Sequence, residues 1–412
     1  MCMNLNLRIV TATLLPTLVI ACIILFPLHT AIGASGLQYI DTNFENASPL
    51  TWEFDDQGRI HISMLYDHLR INQHRSDEYQ DRVASHWHFR IEAPKGSQQT
   101  IIIDNLPRAA TRMVNHTMIS SDGVHWRALP MELRDENSMV GTVPMDETTM
   151  HVARIEPYDT TDLERFLADI RDNTLVDITT IGATVEGRSL EIVRIGNPSA
   201  PHRLLLRARC HPWESGGNWV VQGLMKRLLR GNAEAKKYLD RYCVYVLPMT
   251  NKDGVVRGRA RYNSKGMDLN RQWDKPAVQT LAPENHALEG WLQRMAAAGT
   301  LPELAIDFHN ASAGVIITSR KEKENASYIA HMRKYHALMK EQIPYTQKEK
   351  FVISQHTGGF SGGLVSRYNI NACIHELSSK WLEDLQDYPS GKNWEQFGAH
   401  LCEVYYQYFD SK

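Results

Sequence analysis

The periodicity of apolar residues changes near Thr161, and two different kinds of structure follow from it. Before that point, over 37–152, short alternating runs such as His86-Trp87-His88-Phe89-Arg90-Ile91 and Thr100-Ile101-Ile102-Ile103 are separated by turn signals at Asp56-Gln57-Gly58, Pro94-Lys95-Gly96 and Ser121-Asp122-Gly123. A period of two with frequent turns specifies strands, and no long helical pattern interrupts it, so a small all-β sandwich domain is expected here. After Thr161 strands and helices alternate. Thr161-Asp162-Leu163-Glu164 reads as a capping box, with Leu163, Phe166, Leu167 and Ile170 at helical spacing behind it. Strands are expected over 190–195, 204–208, 242–247, 304–308 and 370–376, and helices over 217–230, 284–298, 328–342 and 393–409. This alternation predicts an α/β catalytic domain over 153–412, with a mixed twisted sheet and helices on both faces.

The first 36 residues read differently. Arg8 is followed by an apolar run over 9–27 and by small residues including Ala31, Gly33, Ala34, Ser35 and Gly36. That pattern predicts a signal peptide or membrane anchor over 1–36, and so an exported protein, periplasmic or secreted, or one anchored with its catalytic part outside the cytoplasm. Membrane contact is expected only through this segment, if it is not cleaved. The formal net charge of -2 on 412 residues gives no basis for binding nucleic acid, and 22% charged with 43% hydrophobic residues is a globular composition. Of six cysteines, Cys2 and Cys22 lie in the leader-like run. Cys210, Cys243, Cys373 and Cys402 are expected to be buried thiols, since a domain of this size needs no disulfide framework.

Four segments carry chemistry. His211-Pro212-Trp213-Glu214 follows the apolar strand Leu204-Leu205-Leu206, which puts a His and a Glu at the carboxyl end of a strand, where open α/β sheets place their ligands. Imidazole and carboxylate are both ordinary zinc ligands, although His-x-x-Glu alone is a weak pattern. Ile306-Asp307-Phe308-His309 offers a third ligand at another strand end, and two His with one Glu leave a coordination position open for water. Ile370-Asn371-Ala372-Cys373-Ile374-His375-Glu376 finishes on a carboxylate suited to a general base; His375 faces the opposite side of that strand. The fourth segment, from Arg261 to Arg271, brings two arginines and Asn270 into a short string suited to an anionic substrate. His86 and His88 share a strand face, which is read as hydrogen-bonded rather than as a metal pair.

Taken in order, these segments resemble the zinc carboxypeptidase family, and within it the cytosolic-carboxypeptidase-like branch with its N-terminal β-sandwich. The matching pieces are 211–214, Pro248 to Gly254, 261–273, 307–309 and 375–378, together with the join at 158–167. The resemblance implies a metallocarboxypeptidase that binds one zinc per chain through His211, Glu214 and His309 and cleaves a peptide or peptide-like substrate next to a free C-terminal carboxylate. Glu376 would be the general base and then the proton donor, and Arg261 would polarise the scissile carbonyl. Asn270 and Arg271 would hold the terminal carboxylate, and Asp268 would accept the second N–H of His211. Family spacing places Arg320 and Ser361 in the side-chain pocket, and so an acidic C-terminal residue is expected to be preferred. One departure is Ser354, which stands where the family often has a loop tyrosine; closure through His356 would then replace it. An amidase acting on cell-wall peptides or N-acyl amino acids keeps the same chemistry. An inactive binding protein on this fold would have lost a ligand or the base, whereas His211, Glu214, His309, Glu376 and Arg261 are all present.

Overall fold

The computed structural model describes residues 36–65, 67, 85–107, 115–319, 326–354 and 358–410, and among these, ten strands precede the first helix. They are β1 (Tyr39–Asp41), β2 (Leu50–Phe54), β3 (Ile60–Met64), β4 (His88–Glu92), β5 (Gln98–Asp104), β6 (His116–Ser120), β7 (Arg127–Pro130), β8 (Glu132–Asp135), β9 (Ser138–Pro144) and β10 (Thr149–Ala153). Two five-stranded sheets result, in the orders β1-β4-β10-β6-β7 and β2-β3-β5-β9-β8. Alternation turns Ile60 and Ile62, Ile101 and Ile103, Phe89 and Ile91, and Met150 and Val152 into one core shared by both sheets. His86 and His88 are buried and face Asn46, through its carbonyl oxygen (3.3 Å) and its side-chain Oδ1 (3.2 Å).

The helix Thr160–Ile170 follows, buried through Leu163, Phe166, Leu167 and Ile170 as its spacing requires. Its capping box lies two residues earlier than the sequence suggested. Asp159 accepts from the Asp162 N–H at 2.9 Å, and Asp162 accepts from the Asp159 N–H at 3.0 Å. An aspartate at each end of the box serves as well as the Thr/Glu pair does, and the sequence offers both.

Eight strands then form the main sheet: β11 (Val176–Ala183), β12 (Ser189–Ile195), β13 (His202–Ala208), β14 (Tyr242–Leu247), β15 (Leu304–Ala311), β16 (Val315–Thr318), β17 (Lys350–Ile353) and β18 (Asn371–Ser378). Their order is β11-β12-β14-β13-β15-β18-β16-β17. The centre, β14-β13-β15-β18, is parallel. Strands β12 and β16 join it antiparallel. The central strands are buried on both faces, which is why each reads as a largely apolar run rather than as an alternating one. On one face Leu204, Leu206, Ile306 and Phe308 pack with the helices Gly216–Leu228, Ala326–Gln342 and Gly391–Tyr408. On the other, Leu205, Ala305 and Ala372 pack with the helices Pro283–Ala297 and Phe360–Tyr368. The chain leaves β13 for β14 and then crosses back to β15, so the strand order reverses at β13 and opens a crevice at the carboxyl ends. The four described cysteines are buried and free.

Candidate metal centre

Three neighbouring parallel strands deliver the site to one edge of the sheet. His309 of β15 and Glu376 of β18 are direct partners in register, so their side chains lie on the same face. Beyond β13 the chain reverses at Arg209, which adopts φ 60°. Its guanidinium is fixed by the Pro212 carbonyl (2.6 Å) and by Asn218 Oδ1 (2.9 Å), and this left-handed corner turns His211 and Glu214 back over the strand ends. The next helix begins close against those strands. A Cβ at Gly217 would lie 2.9 Å from Phe308 Cβ and 3.1 Å from Ala208 Cβ, so only glycine permits that approach.

At this edge three donors converge. His309 Nδ1 lies 3.1 Å from His211 Nδ1 and 2.7 Å from Glu214 Oε2, and His211 Nδ1 lies 2.9 Å from Glu214 Oε1. All three residues are buried. Each imidazole presents its other nitrogen to an aspartate: His211 Nε2 to Asp268 Oδ1 at 3.2 Å, and His309 Nε2 to Asp307 Oδ2 at 2.9 Å. If each ring carries its proton toward its aspartate, both Nδ1 lone pairs and the Glu214 carboxylate point at one another with no proton between them. Glu214 Oε2, despite its 2.7 Å approach to His309, makes no hydrogen bond of acceptable geometry. A cation at the centre resolves both facts. Zinc with bonds of about 2.0–2.1 Å sets tetrahedral ligand separations of about 3.3 Å, close to those seen. The residues therefore fit zinc.

The electrostatics agree. Burial and the Arg261 charge oppose protonation of His211, yet Cys210, Glu214 and Asp268 carry it up to about 10. His309 is likewise raised against burial, by Cys210, Asp307 and Glu214, while His211 and His309 draw Glu214 down against its own burial. Both imidazoles raised and the carboxyl lowered describe a pocket whose surroundings favour positive charge at its centre. Cys210, His211 and His309 also offer donors within 4.8 Å of one another. Cys210 Sγ, however, approaches His309 at Nε2 (3.4 Å) rather than Nδ1 (4.0 Å), on the side that Asp307 occupies. The position shared with Glu214 is the better one for a metal.

The remaining expected residues fall around this group. Glu376 is half-buried, and its carboxyl is held above the usual range, chiefly by burial with Glu214 adding. Arg261 Nε and Nη2 both donate to Asp268 Oδ2, at 3.0 and 2.7 Å. The Asn270 backbone N–H donates to Asp268 Oδ1 (2.9 Å), its side-chain Oδ1 accepts from Phe360 N–H (3.0 Å), and Arg271 Nη1 donates to the Asn270 carbonyl (2.8 Å). Ser361 is buried in the first turn of that Phe360–Tyr368 helix. Ser354 closes β17, its N–H bonded to the Thr318 carbonyl at 2.9 Å. Arg320 and His356 lie outside the described residues. His375 points the other way from Glu376, toward Tyr335 Oη and Glu349 Oε2, each at 3.2 Å.

The model of the zinc carboxypeptidase family matches residues 163–371, about half of the chain. The chain belongs to that family. Among curated relatives, human cytosolic carboxypeptidase 1 is 38% identical over 109 residues, which are 26% of this chain and 9% of that protein. Human cytosolic carboxypeptidase 2 is 33% identical over 141 residues, 32% of this chain and 16% of that one. This zinc carboxypeptidase thus matches less than a fifth of the length of either relative. The fold is shared with a metallo-carboxypeptidase from Burkholderia cenocepacia (TM-score 0.77, 21% identity, 90% of this chain and 99% of that one). It is shared too with one from Pseudomonas aeruginosa solved with (2-guanidinoethylmercapto)succinic acid (TM-score 0.73, 18% identity, 90% and 98%).

These relatives correct one expectation. The sequence pointed to a protein exported or anchored outside the cytoplasm, whereas the curated relatives are named cytosolic carboxypeptidases. Among the described residues no helix is long and apolar enough to cross a membrane, and the apolar run at 9–27 lies outside them. Apolar composition specifies only what such a run can bury against, so it does not by itself carry an address.

In this zinc carboxypeptidase two residues that received no role from the motifs stand behind His309. Asp307 faces His309 Nε2 from two positions earlier on the same strand face, and Arg207 Nε lies 3.4 Å from Asp307 Oδ1, with both side chains fully buried. The Arg207 guanidinium also lies over the Phe360 ring, 4.6 Å from its centroid. An Arg–Asp–His series therefore backs each imidazole: Arg261–Asp268–His211 and Arg207–Asp307–His309. The signals available in sequence were the two-residue spacing of Asp307 and His309 and an arginine directly after the apolar run Leu204-Leu205-Leu206.

Proposed function

We propose that this chain hydrolyses the C-terminal amide bond of a peptide or peptide-like substrate, with one zinc per chain held by His211, Glu214 and His309. The convergence of two Nδ1 atoms and one carboxylate at 2.7–3.1 Å, beside Glu376, carries the reading. Zinc, when bound, supplies a Lewis acid and makes an attacking water acidic near neutral pH. Glu376 takes the proton from the attacking water and delivers it to the leaving amine; a carboxyl raised by burial exchanges a proton near neutral pH more readily than an ordinary one. Arg261, anchored on Asp268, keeps its charge throughout and stabilises the oxyanion that develops on the scissile carbonyl. Asn270 and Arg271 hold the terminal carboxylate, a charge-assisted contact that demands a free C-terminus. Residues 153–412 form the catalytic domain on this reading, because every group named here belongs to them, and 37–152 form an accessory domain. The acidic preference expected from Arg320 draws no support from the described residues, so the proposal stops at the free carboxylate.

The test uses purified full chain and paired peptides with free and amidated C-termini. Cleavage of the free form, its loss with a chelator and its return with zinc are expected. Amidation should slow cleavage by about 10²-fold or more, in line with the loss of a buried charged pair. Equal cleavage of both forms would make this an amidase of another specificity.

A further inference from the structure

The stretch that carries Arg261 is held from outside the α/β sheet. Asp67 lies just past β3, in the β-rich region, and is 7% exposed. Its carboxylate accepts three consecutive backbone N–H groups: Ala260 at 2.7 Å on Oδ1, and Arg261 and Tyr262 (3.0 Å) on Oδ2. Successive amides turned toward one anion make a concave site for it, and charge-assisted bonds of this kind are short and strong. A second clasp lies a few residues earlier. The Asn46 N–H and side-chain amide donate to the carbonyls of Val256 (3.3 Å) and Val255 (3.1 Å). Gly258, at φ 58°, sits where a Cβ would come within 1.9 Å of the Ala47 carbonyl oxygen. The same stretch touches the metal turn, since the Ala260 carbonyl accepts the Trp213 N–H at 3.4 Å, one residue before Glu214.

We infer that Asp67 is a positioning residue for Arg261, supplied to the catalytic domain by the β-rich region. The inference rests on the proposed role of Arg261. Asp268 fixes the guanidinium end of that side chain and Asp67 fixes its backbone end. With both ends tethered, the cation is presented to the reacting carbonyl in one place before substrate arrives, which is what stabilisation of a developing charge requires. With Asp67 removed, three buried amides lose their acceptor, and the loop has a reason to shift by the fraction of an ångström that matters at a reacting centre.

Zinc-loaded full-length protein carrying Asp67→Asn or Asp67→Ala, each alone and combined with Arg261→Ala, separates positioning from general support. The readouts are kcat, KM for a peptide with a free terminal carboxylate, and zinc per chain. Asp67→Ala should lower kcat by roughly 10²-fold, with KM changed by less than about threefold and zinc unchanged. Asp67→Asn keeps the volume and one acceptor oxygen, so its loss should be smaller. In the Arg261→Ala background either change should have little further effect, because residues acting through one group are not additive. Wild-type kcat in both Asp67 variants overturns the inference. The same fold-loss with and without Arg261 overturns it too, as does a loss of zinc in step with activity. Should Asp67→Ala fail to fold, Asp67→Asn carries the comparison. Wild-type kcat in Arg261→Ala alone is a different failure: it removes the role of Arg261 and leaves Asp67 as a structural tether.

Discussion

At the scale of single residues, the metal position and the proton carrier can be separated by experiment. Glu376 lies beside His309 but donates nothing to the three-donor group, so Glu376→Gln should keep zinc and lose turnover. A general acid–base group is worth about 10²–10⁴-fold, and kcat should fall within that range while elemental analysis shows one zinc per chain. A Glu376→Gln protein with wild-type kcat would remove Glu376 from the chemistry. Asp307 is expected to act on the metal instead. It fixes the tautomer of His309 and is itself paired with Arg207. Asp307→Ala should weaken zinc by about 10–100-fold in chelator competition, as loss of such partners does. His309→Ala should abolish binding altogether. If Asp307→Ala holds zinc as tightly as the unaltered protein, the partner of His309 Nε2 has no part in tuning the metal.

At the scale of elements, the metal turn depends on how closely two helices pack. The helix Gly216–Leu228 starts two residues past Glu214 and lies against the helix Gly391–Tyr408. A Cβ on Gly398 would come within 1.8 Å of the Val220 carbonyl oxygen, and one on Gly223 within 2.0 Å of the Glu395 carbonyl oxygen. Gly398→Ala must therefore push the helices apart, at about 1–3 kcal/mol for an overpacked contact. It should weaken zinc as well, because Glu214 moves with the helix start. Gly290, in the helix Pro283–Ala297, is the control. Its added Cβ would meet nothing nearer than Arg294 Nη1 at 3.7 Å, so Gly290→Ala should stabilise by up to about 1 kcal/mol. Thermal unfolding compares them, and equal stability of the two variants would dismiss the packing argument. Sequence made these helices legible because each has a continuous apolar face, and it made β13, β14, β15 and β18 legible because burial on both faces leaves an apolar run. It did not reveal β11, whose side chains are mostly exposed or half-buried, or the helix Ala233–Arg241, which buries only Ala235, Tyr238 and Leu239. The helix Phe360–Tyr368 was hidden by its two internal glycines. The site shows the same division. Residues at strand ends could be found one motif at a time, whereas the Arg207–Asp307 pair and the reach of Asp67 to 260–262 depend on strand order and on contacts across the chain, which periodicity does not encode.

At the scale of the whole molecule, buried titratable groups set a stability optimum with two opposing limbs. His86 and His116 are pushed down to about 3, chiefly by burial, and His88 is also driven well below its ordinary value. These rings are neutral when folded and bind a proton below about 6.5 when unfolded. Their contribution is therefore present above about pH 6.5 and is lost as pH falls, at up to roughly 1.4 kcal/mol per pH unit for each ring. Glu156 and Asp159 act in the other direction. Burial raises both carboxyls to about 7, with Glu395 adding at Glu156 and Asp162 and Glu45 adding at Asp159. A carboxyl that holds its proton more tightly when folded stabilises fully below its unfolded value, near 4, and loses that contribution as pH rises through about 7. Between about pH 4 and 6 these rings and these two carboxyls pull in opposite directions, and the carboxyls prevail once the rings have lost their protons in the unfolded chain. The unfolding temperature of protein kept in excess zinc should thus peak near pH 6.5, fall on the acid side, and show a smaller alkaline loss that is complete by about pH 8. Protonation of the proposed ligands His211, Glu214 and His309 would steepen the acid limb further. His116→Phe preserves the stack on Tyr388, whose ring centroid lies 3.9 Å away, while removing one titrating ring, so it should flatten the acid limb and leave the alkaline limb unchanged. An unfolding temperature that stays level from pH 7 to 5, or an acid limb identical in His116→Phe, would show that these buried rings do not govern the loss.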